Sequence, residues 1–279
     1  MLSPKGMFID SVPGATLFSF PSRHHALPRD DPTSFETLFV QPTGLHPTLQ
    51  LAFPARSLSP PGPSCALHAY LTLPSSVFID RYQLDDALFL ASQNIISLRS
   101  LSGETDLEAP VWVLKKWGSA GLFELKAPVD YYDADAKAST NEPWNVSIPL
   151  HLRYLEPSAA DGAAPAPGKR LTDIAWPAVF WACEAEEGLK MSVNPFDRVN
   201  LGYDGLFGPK TMFYHVPPAP RGGGELYEKL EAPVMDLNRT GYVETVTGLV
   251  VLGGFLWVVW VLLKSALGGQ KVKEEKKNA

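Results

Sequence analysis

The sequence predicts an all-β domain, an antiparallel β-sandwich over roughly residues 40–220, followed by one C-terminal transmembrane α-helix. Two observations predict the domain. Short segments rich in β-branched and aromatic residues, often alternating apolar with polar, are separated by Pro/Gly-rich breaks, and no long amphipathic helical pattern appears before the C-terminal region. A third observation predicts the helix: the run TVTGLVVLGGFLWVVWVLL, between Glu244 and Lys264, carries no charge. At 1.5 Å per residue its length matches a hydrocarbon core of roughly 30 Å.

Taken in order, residues 1–40 read as an N-terminal segment, either an incomplete module or extra strands. The first 25 residues lack the unbroken apolar core of a cleavable signal peptide, since Asp10, Pro13 and Gly14 interrupt it. Residues 41–225 form the β-rich domain, with strands expected at CALHAYLTL, VFIDRYQL, VWVLKKW, LFELKA, WNVSIPLHLRYL, PAVFWACE and TMFYHV. In SIPLHLRYL, Ile148, Leu150, Leu152 and Tyr154 fall on one face and His151 and Arg153 on the other, by the period of two. Loops are expected at PARSLSPPGPS (54–64), PSAADGAAPAPG (157–168) and PPAPRGGG (217–224), because proline lacks a ladder donor and glycine adds backbone entropy. The stretch SSVFIDRYQLDDALFLASQN has room for a helical turn or two. Residues 226–244 are an acidic juxtamembrane linker, 245–264 the transmembrane helix and 265–279 the cytosolic tail.

Flanking charge orients the span, since lysine and arginine stay preferentially on the cytoplasmic side. Lys264, Lys271, Lys273, Lys276 and Lys277 follow it, whereas only Lys229 and Arg239 stand among the acids before it. The tail is therefore expected in the cytosol and the β-domain in a lumen. A cytosolic tail gives Lys276-Lys277-Asn278-Ala279 the K-K-x-x form read by coat machinery as a retrieval address for the endoplasmic reticulum (ER). A tail-anchored topology would put those lysines in the lumen, where the signal is useless, and would oppose the charge bias. Gly248, Gly253 and Gly254 are candidates for close helix packing within the membrane.

Two glycosylation sequons lie on the expected lumenal side, Asn145-Val-Ser147 and Asn238-Arg-Thr240; Asn145 is the better candidate because Asn238 stands a few residues from the bilayer. The cysteines, Cys65 and Cys183, fit either one disulfide in an oxidising compartment or two buried thiols in a reducing one.

Several chemistries lose support. With a net charge of −6 and no basic block outside the tail, the chain lacks a nucleic-acid surface. The six histidines never fall at ligand spacing, so no metal is expected, and no phosphate loop or nucleophile elbow calls for a cofactor or catalytic serine. Asp133-Ala-Asp135 resembles the paired carboxylates that hold a cation and donor phosphate in many glycosyltransferases, but it sits in an acidic, small-residue loop where solvated carboxylates are the ordinary outcome. Asp30-Asp31 and Asp85-Asp86 read as loop or helix-start charges.

Together, CALHAYLTLPSSVFIDRYQL (65–84), IPLHLRYLEP (148–157) and WPAVFWACE (176–184), with one C-terminal span and a lysine-rich tail, resemble the PIG-X/PBN family. GLHPTLQL (44–51) resembles the added N-terminal portion of its fungal members. The resemblance implies a non-catalytic subunit of glycosylphosphatidylinositol (GPI) mannosyltransferase I in the ER. There it would stabilise a multi-span catalytic subunit of the PIG-M type, which adds the first mannose from dolichol-phosphate-mannose. Fungal relatives are also linked to folding of other lumenal and vacuolar proteins, so a broader chaperone-like factor is the alternative, with an autonomous glycosyltransferase using Asp133 and Asp135 behind it. The family implies no catalytic motif. Animal members begin with a signal peptide and many fungal ones are longer.

Overall fold

The computed structural model describes residues 34–54, 58, 60–114, 117–127, 143–158, 168–184, 206–207, 211–220 and 225–275, with 267–275 by backbone alone. Its strands are β1 (Glu36–Phe39), β2 (Thr48–Phe53), β3 (Cys65–Pro74), β4 (Val77–Phe78), β5 (Ile95–Gly103), β6 (Gly118–Leu125), β7 (Trp144–Pro149), β8 (His151–Leu152), β9 (Lys169–Ala175), β10 (Ala178–Glu184), β11 (Thr211–Val216) and β12 (Tyr227–Pro233). The helices are α1 (Ala87–Ser92) and α2 (Thr240–Glu275). The strands make a three-stranded sheet β1-β2-β7, a five-stranded sheet β11-β10-β3-β6-β5 and two small pairs, β12-β9 and β4-β8. Each pairing with a resolved register is antiparallel.

The periodicity that marks strands also builds the core. In β2, Leu49, Leu51 and Phe53 point inward while Thr48, Gln50 and Ala52 alternate outward. They sit opposite Ile148, Val146 and Trp144 of β7. All of them but Trp144, which packs against it partly buried, share one buried cluster with Leu67, Ala69, Leu71 and Leu73 of β3, Phe123 of β6, and Val179 and Trp181 of β10. The two main sheets thus enclose a common apolar layer, as a sandwich requires. The other face of the five-stranded sheet is covered as well, by a second cluster containing Tyr70, Leu122, Phe180, Phe207 and Phe213. Burial on both faces explains why β3, β6 and β10 read as nearly continuous apolar runs. Cys65 and Cys183 are register partners across β3 and β10 and form a disulfide.

Local chemistry ends and starts the helices. Asp86 caps α1, its side chain accepting from the Leu88 and Phe89 amides, so one member of the Asp85-Asp86 pair is a helix-start residue. Asp236 accepts from the Asn238 amide and opens the 3₁₀ turn Leu237–Arg239 that leads into α2. Residues 237–266 are long and apolar enough to cross a membrane, and none of the most apolar stretch is buried.

Chain contacts divide the molecule into two units, one of residues up to Glu156 with Arg170–Pro233, the other of Pro157–Lys169 with Val234–Ala279. Within the second unit, Ser158 accepts from the Leu237 amide at 3.1 Å and donates its own amide to the Met235 carbonyl at 3.0 Å.

The structure departs from the sequence reading at VFIDRYQL, which is a strand only at Val77–Phe78 before the 3₁₀ turn Gln83–Asp85, and in further places. The VWVLKKW stretch is a 3₁₀ turn at Val111–Val113 and not a strand, because Pro110 before it lacks a ladder donor and the Val111 amide is taken by the Tyr154 carbonyl at 3.2 Å. The alternation of SIPLHLRYL holds to Leu152 and then inverts. Arg153 is 4% exposed and Tyr154 72% exposed, since the chain leaves β8 at Leu152 and the Arg153 amide turns to the Ser76 carbonyl. β1 starts at Glu36, inside the 1–40 segment where extra strands are one of the two expectations, and β12 ends at Pro233, within the stretch expected as linker. Phe35 is tied in by exchange of backbone hydrogen bonds with Pro217 and Ala219, and Leu230 and Ala232 of β12 alternate into the core. Finally, α2 runs from Thr240 to Glu275, past the apolar run on either side, with no proline to stop it.

Candidate functional site

The distinctive sequence blocks 65–84 and 148–157 meet around β4 and β8. Val77 pairs with Leu152 and Phe78 with His151. Past β4, Asp80 accepts from the Tyr82 amide at 2.8 Å and the Gln83 amide at 3.4 Å, folding the chain into the 3₁₀ turn Gln83–Asp85. That turn aims the Gln83 side-chain Oε1 at His151 Nε2, 2.8 Å away. With Nε2–H donating, a neutral His151 accepts at Nδ1, where His46 Nδ1 lies at 2.9 Å. The His46 and His151 rings meet edge to face and His151 also stacks on Phe78. Burial, then the neighbouring His46 charge, push the His151 pKa down against the opposing pull of Asp80.

Arg153 completes the cluster. Its guanidinium carbon lies 4.6 Å from the Phe78 ring centre, and Nη1 donates to the Ala109 carbonyl at 3.1 Å. Nε and Nη2 are buried with no acceptor among the described residues, and burial lowers the pKa although Glu104 and Asp106 oppose that shift. The arrangement is a polar clamp: it fixes the β4–β8 corner and the 104–114 segment, and it leaves Arg81, Tyr82 and Tyr154 at the surface.

A cleft of about 500 Å³ opens at the second cluster, lined in part by His68, Arg99, Glu124, Glu184, Phe207 and Thr211. His68 donates from Nδ1 to the Ala66 carbonyl at 3.0 Å and stacks on Phe180. Burial pushes its pKa down to about 4, with nearby Arg99 adding to the shift and the Ala66 bond opposing it. At neutral pH it is an uncharged acceptor beside the Arg99–Glu124 ion pair, whose atoms are 3.3 Å apart. Among the described residues no three His, Cys, Asp or Glu side chains group as a metal site would need.

The residues singled out from the sequence are scattered. Asn145 lies half-buried in β7, its Oδ1 shielded and without a hydrogen bond among the described residues, and its carbonyl accepts from Asn94. Asn238 is exposed in the turn before α2, so exposure alone ranks the two sequons opposite to the sequence reading. A Cβ built at Gly248, Gly253 or Gly254 meets nothing within 4 Å. Asp133, Asp135, Lys276 and Lys277 lie outside the described residues. Sequence reasoning missed the His46–His151 pair and the burial of Arg153. The signal present was an apolar strand block, IPLHLRYLEP, that keeps a histidine and an arginine two positions apart.

Comparison with known proteins agrees with the sequence blocks. The profile of the family described as PIG-X / PBN1 matches residues 42–263, covering the β-domain and most of the apolar helix together. Protein pbn1 of Aspergillus fumigatus is 52% identical over 260 residues, 88% of this chain and 50% of that protein. Protein pbn1 of Neurospora crassa is 47% identical over 280 residues, 96% of this chain and 52% of that protein. Protein PBN1 of Saccharomyces cerevisiae is 33% identical over 211 residues, 71% of this chain and 41% of that protein. The chain thus spans about half the length of the Aspergillus fumigatus and Neurospora crassa relatives. The chain belongs to the PIG-X / PBN1 family.

Proposed function

We propose that this protein is a non-catalytic, stabilising subunit of the ER GPI mannosyltransferase I, the complex that adds the first mannose in GPI-anchor biosynthesis. The observation that carries the proposal is the single family match running from residue 42 to 263, which joins the β-domain and the apolar helix in one unit of descent. The catalytic partner is a multi-span subunit of the PIG-M type, and α2 holds the β-domain beside it in the ER membrane. The Cys65–Cys183 bond supports placing the domain in the oxidising lumen, because disulfides persist there and are reduced in the cytosol. Lysines from Lys264 onward, past the apolar run, support a cytosolic tail in which Lys276 and Lys277 act as the retrieval signal. Asn145 or Asn238 would then carry glycan. A lipid-linked sugar donor needs several spans to enclose its polyprenyl chain, whereas stabilising a partner needs only surfaces.

Removing the protein should make the PIG-M-type subunit disappear from the membrane, and detergent co-purification should recover that subunit with it. Asp133→Ala combined with Asp135→Ala should leave mannosyl transfer intact. Loss of transfer with normal partner abundance would refute the proposal, and recovery of many unrelated membrane proteins would favour a general folding factor.

A further inference from the structure

We propose that the cleft beside His68, on the outer face of the five-stranded sheet, binds a neutral carbohydrate of disaccharide size. The inference goes beyond the stabilising-subunit reading and does not depend on it. Its starting point is an acceptor that the fold leaves open. His68 is 3% exposed and its Nδ1–H is committed to the Ala66 carbonyl, so the neutral ring has only Nε2 left for bonding. That atom has no hydrogen-bond partner among the described residues and is not one of those closed off from solvent, and His68 lines the cleft of about 500 Å³. Phe180 stacks on the imidazole and Phe207 meets it edge to face, which fixes where the Nε2 lone pair points. An acceptor buried this far is satisfied only by a donor that enters the cleft.

Strand register lays out the floor. Phe180 of β10, His68 of β3 and Glu124 of β6 are cross-strand neighbours in one row. Two residues further along β10, Ala182 pairs with Ala66, and two beyond that Glu184 pairs with Thr211 of β11. A pair of alanines thus forms the bottom of a trough whose polar ends stand roughly 13 Å apart along β10. At the His68 end, Arg99 Nη1 meets Glu124 Oε2 at 3.3 Å, and the guanidinium keeps further N–H groups to give. At the other end Glu184 is exposed, with no ion-pair partner among the described residues, and Thr211 and Ser64 add hydroxyls. Leu206 and Phe207 complete the lining.

Chemistry selects the ligand. Among the lining side chains Arg99 stands against Glu124 and Glu184 while His68 is uncharged, so the cleft does not attract phosphate or carboxylate groups. Nucleotides and phospholipid headgroups are thereby disfavoured. An acyl chain would dehydrate His68 Nε2 and the Arg99–Glu124 pair without replacing their bonds to water. A lone ammonium group would meet Glu184 and leave the His68 end unmet. An extended peptide is read through the free ladder groups of an edge strand, whereas β3, β6 and β10, which carry the floor, are each paired on both sides. The ligand that fits is read by side chains alone, carries many hydroxyls and bears no charge. Its hydroxyls donate to His68 Nε2 and to the two carboxylates and accept from Arg99. The C–H face of a sugar ring covers the alanine floor and the Phe207 ring, in a cleft of the volume usual for small-ligand sites.

The test is calorimetric titration of the purified full-length protein, held in a detergent without a sugar headgroup, with maltose, mannobiose and diacetylchitobiose, and with glucose phosphate as the charged probe. Saturable binding of at least one neutral disaccharide is expected, and none of glucose phosphate. His68→Phe, which keeps a ring on Phe180 and removes Nε2, should weaken that binding about tenfold while the far-ultraviolet spectrum stays unchanged. Glu184→Ala, at an exposed position where the fold loses no core contact, should weaken it several-fold. Failure of all three disaccharides to bind, equal binding of glucose phosphate, or unchanged affinity in either variant overturns the assignment. Neither partner nor bilayer takes part, so failure here leaves the stabilising-subunit reading standing. That reading fails separately, if removal of the chain leaves the multi-span subunit at normal abundance.

Discussion

Tryptophans in two regions of this chain live in opposite surroundings. Trp181, in the β-domain, is 1% exposed between the two main sheets, whereas Trp257 and Trp260, in α2, are 65% and 58% exposed. The contrast extends to every neighbour. The β-domain sorts apolar from polar by alternation, so water on one face drives burial of the other. Along 245–263 α2 has no polar face to turn outward, so only an apolar solvent satisfies it. At its C-terminal side Lys264 lies 5.2 Å from the Trp260 ring, an interfacial pairing expected where the hydrocarbon ends. Equal hydrophobicity thus builds a core in one region and a helix apolar enough to cross a membrane in the other, and the difference lies in the period of the pattern.

Substitution at Trp181 and at Trp257 separates the two surroundings by the largest effect. Trp181→Ala should destabilise the β-domain by about 3–5 kcal/mol through the cavity it leaves. Trp257→Ala should leave the domain's unfolding within about 0.5 kcal/mol, since no cavity forms in it. Thermal unfolding of the detergent-solubilised full chain, followed through the β-domain's far-ultraviolet signal, measures both. Equal losses in the two variants would mean that α2 is part of the domain's core and not a separate apolar element.

A smaller effect sharpens what burial does inside the domain. His68 is held neutral, its pKa lowered from 6.5 to about 4, so the unfolded chain binds a proton that the folded one resists. His68 therefore contributes stability that is fully present above pH 6.5 and is lost as pH falls toward 4, by up to about 3 kcal/mol. In His68→Phe, which retains a ring for stacking on Phe180, unfolding free energy measured between pH 7 and pH 4 should fall less steeply than in the parent. Parallel curves would show that His68 does not titrate in this window.

How much of this was legible in the sequence follows from the same physics. The apolar helix announces itself because a bilayer imposes length and uniform apolarity on a contiguous stretch. Strands β3, β6, β7, β10 and β11 were legible because their side chains alternate or are buried on both faces. Strands β9 and β12 were not, for KRLTDIA and YEKLEAP are polar pieces whose pairing with each other is decided by tertiary placement. The inversion at Arg153 was equally hidden. A period of two predicts its face only while the chain remains a strand, and the chain stops being one at Leu152 because distant partners, Ser76 and Ala109, take the polar groups of the next residue. Trp112 looked like a strand residue for a similar reason: VWVL has the composition of a strand, and only Pro110 signalled otherwise.

In the topology we propose, α2 crosses the bilayer once with the β-domain in the lumen and the lysine-rich end in the cytosol. Protease added to sealed microsomes measures it directly, with epitopes placed before β1 and at the C-terminus. In that topology the C-terminal epitope is lost while the β-domain survives intact until detergent opens the vesicles. Digestion of the β-domain in sealed vesicles, with the C-terminal epitope spared, would contradict it.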